Sequence, residues 1–184
     1  MKINGFYVSF QNPDGLGTMK IQVGGLADGI HHYQLAAASD SLELDERFID
    51  QIVVDATVEK SGTQVYLGAE VSAKASFDCD RCLLPFISNL RSSYRMYYVT
   101  DGAAEGNIDP SELQVMPPGF SVIDLQEDVR QTVMLSVPLK LLCTEKCKGL
   151  CHHCGTNWNV GSCNCEEQAV DPRWGQLIRL KKRV

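Results

Sequence analysis

The sequence lacks the long apolar runs that are typical of membrane proteins. No stretch of about 18 consecutive apolar residues occurs among the 184 residues. The first residues, MKINGFYVSFQNPDG, also lack a basic leader followed by an apolar run, so they do not read as a signal peptide. We therefore expect a cytoplasmic protein with no membrane partner. In that reducing compartment, clustered cysteines bind metal or do redox chemistry more often than they form structural disulfides.

Short motifs of the common catalytic classes are also missing. The chain has no H-E-x-x-H of a zinc hydrolase and no H-x-E ahead of its cysteine pairs, which a nucleobase deaminase would need. It also has no G-x-x-x-x-G-K phosphate loop and no G-x-S-x-G nucleophile elbow. These absences favour a protein that is not an enzyme and has no small-molecule substrate.

Positive charge is scarce, and it is unevenly distributed. The chain has 17 Lys and Arg against 23 Asp and Glu, which gives a net charge of -6. Residues 1–139 carry nine basic and 19 acidic side chains, whereas residues 140–184 carry eight and four. Because so acidic a chain does not coat nucleic acid nonspecifically, any contact with RNA must be focused on a local basic surface.

Alternation of apolar and polar residues predicts long antiparallel strands. The clearest run extends from Gln64 to Cys79, and a second run at 52–59 precedes it, with Ser61-Gly62 between them. This arrangement predicts a β-hairpin, and a third alternating run follows Pro85. Shorter strand candidates lie at Phe6–Phe10 and Met19–Val23.

Helical patterns occur twice, after a loop that we predict at Thr100–Gly119. A helix near 125–136 has Asp124 as its capping residue and ends before Pro138. A short terminal helix begins at Asp171-Pro172, since proline is favoured at the first helical position.

The fold class that these patterns predict is α+β. Residues 1–139 form a mainly antiparallel β-sheet or barrel-like domain with one mid-chain helix. Residues 140–184 form a Cys-rich, zinc-binding segment with the terminal helix, docked on the first domain.

All eight cysteines fall into short-range pairs. They are Cys79 and Cys82, Cys143 and Cys147, Cys151 and Cys154, and Cys163 and Cys165. A structural zinc ion takes four ligands, and two closely spaced pairs supply them. The last four cysteines lie within 15 residues, and the residue directly after Cys154 is Gly155, a glycine suited to a positive-φ turn. We therefore predict two structural zinc ions, the second shared between the 79/82 and 143/147 pairs.

Alternatives to structural zinc remain open from the residues. Four thiolates also suit an iron–sulfur cluster, and Cys79 and Cys82 could be small buried hydrophobic residues. His152 and His153 could replace a thiolate, but the cysteine count already suffices, so we interpret them as loop residues. A C-x-x-C pair can also act as a redox centre, although its setting among four other cysteines does not favour this.

The motifs around these cysteines resemble those of the YceD family, whose name refers to accumulation of the large ribosomal RNA. The resemblance covers roughly residues 75–180 and is carried by CDRCL at 79–83, LSVPL at 135–139 and LC at 142–143. It continues with CKGLC at 147–151, CG at 154–155, NWN at 157–159, CNC at 163–165 and DPR at 171–173. Trp158 departs from the leucine that we expect there.

The resemblance implies a non-enzymatic factor for processing or accumulation of 23S ribosomal RNA, with ribosomal RNA precursors or large-subunit assembly proteins as partners. Two basic surfaces are candidates for RNA contact, because lysine and arginine neutralise phosphates and tyrosine stacks on unpaired bases. One is a strand face with Arg91, Arg95 and Tyr97. The other comprises Lys146, Lys148, Arg173, Arg179, Lys181, Lys182 and Arg183. The alternatives are a zinc-stapled module that binds only protein, and a thiol redox protein.

Overall fold

The computed structural model describes residues 19–100 and 109–165. Two short 3-10 helices, Asp40–Leu42 and Pro110–Glu112, accompany the longer elements. In chain order the longer elements are β1 (Lys20–Gln22), β2 (Gly29–Ala37), β3 (Ile52–Ser61), β4 (Gln64–Asp78), β5 (Pro85–Thr100), β6 (Leu113–Met116), β7 (Val122–Asp124) and α1 (Gln126–Leu135). The predicted strand at Phe6–Phe10 and the predicted helix from Asp171 lie outside the described residues.

The main sheet is open and mostly antiparallel. Its strand order is β2-β3-β4-β5-β6, and the pairs β2–β3, β3–β4 and β4–β5 are antiparallel. β6 runs parallel to the last residues of β5, where Tyr97 pairs with Leu113. The predicted α+β class is confirmed. Of the two predicted forms of the N-terminal part, a sheet or a barrel, the described strands form a sheet that does not close.

The predicted hairpin at 52–79 is confirmed. Ser61 pairs with Gln64, so Gly62 and Thr63 form the two-residue turn, and Gly62 has a φ of +58°. Along β4 every second residue from Val65 to Phe77 is buried, which is the face that the alternation predicts.

A second layer covers that buried face. β1 pairs with β7 in a two-stranded ribbon, and this ribbon contributes Ile21 and Ile123 to the main core. The helix α1 adds Val129 and Val133. Because each fully buried aliphatic side chain contributes roughly 1.5–3 kcal/mol relative to exposure, this core is a large source of stability for the sheet.

The mid-chain helix lies within the predicted span. The N-cap is Leu125, one residue after the predicted Asp124, although Asp124 Oδ1 accepts the backbone N–H of Gln126 at 3.0 Å. The helix ends at Leu135, ahead of Pro138. The loop predicted at 100–119 is partly wrong, because β6 and the 3-10 helix lie inside it; its residues 101–108 lie outside the described ranges. Within residues 19–100 and 109–165, no helix is long and apolar enough to cross a membrane.

Candidate metal centre

The tip of the β4–β5 hairpin presents two thiols from one tight turn. Asp78 pairs with Pro85 at the strand ends, and the Cys79 N–H donates to the Leu84 carbonyl at 3.0 Å. The Leu83 N–H donates back to the Cys79 carbonyl at 2.9 Å. Leu83 has a φ of +56°, a left-handed conformation that closes the turn after Cys82.

The segment that follows α1 docks on this tip through backbone hydrogen bonds. Asp80 donates its N–H to the Leu141 carbonyl at 2.8 Å, and its carboxylate accepts the Leu141 N–H at 2.6 Å. The Arg81 carbonyl accepts the Leu150 N–H at 3.1 Å, and the Arg81 guanidinium donates to the Cys147 carbonyl at 2.7 Å. Asp80 and Arg81 thus anchor the chain at Leu141 and at Leu150, on both sides of Cys143 and Cys147.

Docking brings together the thiols of Cys79, Cys82, Cys143 and Cys147, which we call the tip group. Their sulfur atoms all lie within 4.8 Å of one another, with Cys79 and Cys147 at 3.8 Å and Cys82 and Cys143 at 3.7 Å. Three of the four residues are buried, and Cys143 is half-buried.

The remaining thiols form a second cluster, the loop group, from one short segment. The Cys151 N–H donates to the Thr156 carbonyl at 2.8 Å, and the Gly155 N–H donates to the Cys151 carbonyl at 2.9 Å. Gly155 has a φ of +74°, as the sequence predicts. All four sulfur atoms lie within 4.8 Å of one another, and two of the residues are exposed. The loop group consists of Cys151, Cys154, Cys163 and Cys165.

The sulfur spacing fits a single metal ion. Four thiolates about 2.3 Å from a central zinc ion form a tetrahedron with edges of about 3.8 Å, close to the two separations in the tip group. A disulfide bond would bring two sulfurs to about 2 Å, so these thiols are not paired covalently. An iron–sulfur cluster places several atoms between its ligands, which spreads the thiolates further apart than a single ion does.

Electrostatics in the tip group favour a bound cation. Burial raises the pKa of Cys79, but backbone N–H groups of Cys143, Arg81 and Cys82 lower it to about 6. Burial, followed by the neighbouring Cys82 thiol, raises the pKa of Cys143 to about 12. The Cys79 thiolate therefore forms easily, whereas Cys143 resists ionising because like charges would lie close together; a divalent cation relieves this repulsion.

The loop group shows the same division. The hydroxyl and N–H of Thr156 lower the pKa of Cys154 to about 6, whereas the Cys154 thiol and burial raise that of Cys165 to about 12. The indole N–H of Trp158 donates to the Cys163 sulfur at 3.4 Å and lowers the pKa of that thiol. Trp158, the departure from the expected leucine, therefore serves the cluster directly.

The two histidines belong to neither group. The rings of His152 and His153 are exposed and lie 4.0 Å apart between their centroids, and the His153 N–H donates to the Cys151 sulfur at 3.4 Å. Each four-thiol group is complete without an imidazole ligand.

The strand residues predicted to contact RNA share the solvent face of β5. Arg91 is exposed opposite Ser72, and Arg95 pairs through its Nε with Glu112 Oε1 at 3.0 Å. Tyr97 lies opposite Tyr66, with ring centroids 4.9 Å apart. These three side chains are on one face, but a carboxylate neutralises one of the two cations.

The second predicted basic surface is described only in part. Lys146 and Lys148 are exposed on either side of Cys147. Five further residues lie outside the described ranges: Arg173, Arg179, Lys181, Lys182 and Arg183.

Three residues that contribute to the candidate sites were not predicted from the sequence. Tyr66 is the aromatic exception on the polar face of β4, and that break in the alternation was the available signal. Arg81 and Asn159 act through contacts between distant segments, and only their place inside CDRCL and NWN marks them.

A family model and several known proteins match this chain. Residues 67–181 match the model described as "Large ribosomal RNA subunit accumulation protein YceD". A chloroplast YCED homolog 1 of Arabidopsis thaliana, named as a large ribosomal RNA subunit accumulation protein, is 31% identical over 42% of this chain and 24% of its own length. An uncharacterised Mycobacterium tuberculosis protein is 27% identical over 69% of this chain and 60% of its own.

A third relative is covered more fully. The uncharacterised protein YlbN of Bacillus subtilis is 24% identical over 77% of this chain and 81% of its own length. The chain thus spans less than two thirds of the plant and mycobacterial proteins, and no solved structure matches it.

Proposed function

The chain belongs to the YceD family, and on that basis we propose that it is a non-enzymatic, zinc-binding factor supporting processing or accumulation of 23S ribosomal RNA. The observation that carries the proposal is the pair of four-thiol groups. All eight cysteines fall inside the family match at 67–181, so the metal centre belongs to the part of the chain that the family shares.

The zinc ions would be structural. Zinc bound by four thiolates has no open position for a substrate or an activated water, so it supplies folding free energy rather than Lewis-acid chemistry. The tip group would fasten the segment after α1 to the hairpin, and the loop group would fix the fold of that segment. A thiol redox role is less well supported, since every thiol is one of four in a metal-sized cluster.

Two separate surfaces are suited to RNA. On β5, the Tyr66–Tyr97 pair offers ring faces to an unpaired base, with Arg91 and Arg95 available to phosphates. At the hairpin tip, Lys146 and Lys148 provide positive charge next to the metal centre.

These surfaces do not form one compact patch. Arg95 lies ten residues from Pro85 along β5, which at about 3.3 Å per residue is roughly 33 Å from the tip. Arg95 therefore lies too far from the tip group to share one small surface with Lys146 and Lys148. We infer that an RNA partner would contact the sheet face and the tip as two distinct footprints.

A second candidate function is docking on a basic large-subunit protein without RNA contact. The net charge of -6 favours it, and two zinc ions with four thiolates each bring the charge to about -10. The Arg95–Glu112 ion pair also lowers the positive potential of the sheet face.

The test compares charge variants in cells that depend on this protein. We expect Arg91→Gln with Arg95→Gln, and separately Lys146→Gln with Lys148→Gln, to lower the amount of 23S ribosomal RNA and its salt-dependent copurification with the protein. Lys20→Gln with Arg130→Gln removes one exposed and one half-buried charge from the opposite layer and is the charge-matched control.

Zinc content must stay unchanged in all of these variants. If ribosomal proteins copurify with the unaltered protein but RNA does not, the protein-only candidate replaces the RNA proposal. If neither RNA nor ribosomal protein copurifies and 23S levels stay constant, both candidates fail.

A further inference from the structure

The side chain of Asn159 joins the two thiol groups. Asn159 lies in the segment between Cys154 and Cys163 of the loop group, yet its Nδ2 donates to the sulfur of Cys147 in the tip group at 3.3 Å. Its Oδ1 accepts the backbone N–H of Lys148, the residue that follows Cys147, at 2.8 Å. One amide therefore holds both the sulfur and the backbone beside a tip-group ligand.

The position of that amide depends on the loop group. The Asn159 N–H and Nδ2 both donate to Asn157 Oδ1, at 2.9 and 2.8 Å. The neighbouring Trp158 donates its N–H to the Gly149 carbonyl at 3.0 Å and its indole N–H to Cys163 at 3.4 Å. The 157–159 segment is thus held on one side by a loop-group ligand and on the other by the chain that carries Cys147.

A bond of this kind affects how well a thiolate binds metal. An N–H donor stabilises the charged sulfur and fixes its direction, and loss of such supporting contacts typically lowers metal affinity about 10–100-fold. Asn159 can supply its donor only when the 151–165 segment is folded. A metal ion in the loop group would enforce that fold, because its ligands lie on both sides of Asn159.

We propose that Asn159 couples the two metal sites, so that zinc in the loop group raises the zinc affinity of the tip group. The coupling is reciprocal, since each site must favour the other by the same factor. The inference rests on the proposed zinc-binding role and adds that the two ions load as a linked pair. The size expected from the lost contact is about tenfold.

The experiment is a zinc titration of the full chain against a chromophoric chelator. Native mass spectrometry counts the ions, and alkylation of Cys79 and Cys147 reports whether the tip group is filled. We expect Asn159→Ala to bind two zinc ions at excess metal but to weaken the tip group about tenfold. Chains holding zinc only in the loop group should then accumulate during the titration.

Asn159→Asp separates the donor from the acceptor. Aspartate still accepts the Lys148 N–H but cannot donate to the Cys147 sulfur, so we expect it to weaken the tip group at least as much as alanine does. Asn164→Ala is the matched control, because it removes an exposed asparagine next to Cys163 that makes no hydrogen bond among the described residues.

The outcomes are distinguishable from failure of the proposed function. Tip-group affinity that is equal in wild type, Asn159→Ala and Asn159→Asp would overturn the coupling while leaving two zinc ions in place. An Asn164→Ala effect as large as that of Asn159→Ala would overturn it as well, since the loss would then be nonspecific. A chain that binds no zinc would overturn both the coupling and the zinc-binding role.

Discussion

The two thiol groups have the same composition, four cysteines each, and differ in how the chain builds them. The tip group joins cysteines that are 61 and 68 residues apart in sequence, and it is mostly buried. The loop group comes from one run of 15 residues and exposes two of its four members. The first group therefore requires the folded sheet, whereas the second requires only a short loop.

This difference indicates separate roles for similar chemistry. The sheet has a continuous aliphatic core of its own, whereas the buried cluster around the tip consists of cysteines with Phe86, Leu142 and Leu150 beside them. The segment after α1 has little apolar surface to bury without metal. Metal in the tip group would attach that segment to the sheet, and metal in the loop group would shape the segment itself.

The largest effect should come from breaking the tip group. Cys147→Ser removes a buried ligand, so we expect zinc content to fall from two ions to one. Structural zinc contributes about 10–16 kcal/mol in zinc-finger peptides. A loss of even a quarter of that would lower the Tm by about 10 °C at roughly 2–4 °C per kcal/mol. Elemental analysis and thermal unfolding measure the two quantities. Two retained zinc ions would show that the buried sulfur is not a ligand.

A smaller and more local effect should follow from breaking the loop group. We expect Cys154→Ser to remove amide protection across Lys140–Cys165 while the strands β2–β5 keep theirs, because their core is aliphatic. Hydrogen exchange read by mass spectrometry resolves the two regions. A uniform change in both parts would mean that the segment and the sheet unfold together, which contradicts the separation of roles.

The two groups should also differ in kinetics. Thiol reagents reach exposed sulfurs first, so in the zinc-loaded protein we expect Cys154 and Cys165 to be alkylated at least about tenfold faster than Cys79. Peptide mapping over a time course measures the rates. Equal rates would indicate that both metals leave through the same opening of the whole segment.

The sequence predicts the local parts of this picture better than the distant ones. The alternation along 64–78 and the pairing of cysteines at short range follow from patterns that the chain displays directly. The short parallel strand at Leu113–Met116 was missed because its partner is β5 and nothing in its four residues alternates strongly.

Side-chain bridges between segments were also beyond the sequence. The bond from Asn159 to Cys147 depends on how two loops dock, which no spacing rule encodes. By contrast, the distance of Arg95 from the tip follows from its ten-residue separation from Pro85 along one strand, and the common face of Arg91, Arg95 and Tyr97 could be predicted.

The smallest effect distinguishes the two C-x-x-C turns themselves. Each turn has a left-handed residue after its second cysteine, Leu83 at +56° in the tip group and Gly155 at +74° in the loop group. Left-handed geometry costs a residue with a Cβ roughly 1–2 kcal/mol, whereas glycine adopts it freely but loses more entropy on folding, about 0.5–1 kcal/mol. Leu83 therefore holds strain that Gly155 avoids.

We expect opposite responses to reciprocal substitutions at these positions. A Cβ at Gly155 would meet no atom of residues 19–100 or 109–165 within 4 Å, so Gly155→Ala tests backbone strain alone and should destabilise the zinc-loaded protein by about 1 kcal/mol. Leu83→Gly should stabilise it by about 0.5 kcal/mol, because the side chain is 66% exposed and little burial is lost. Denaturant unfolding at saturating zinc gives both values. Destabilisation by Leu83→Gly would show instead that the exposed leucine contributes a contact that outweighs the strain of its turn.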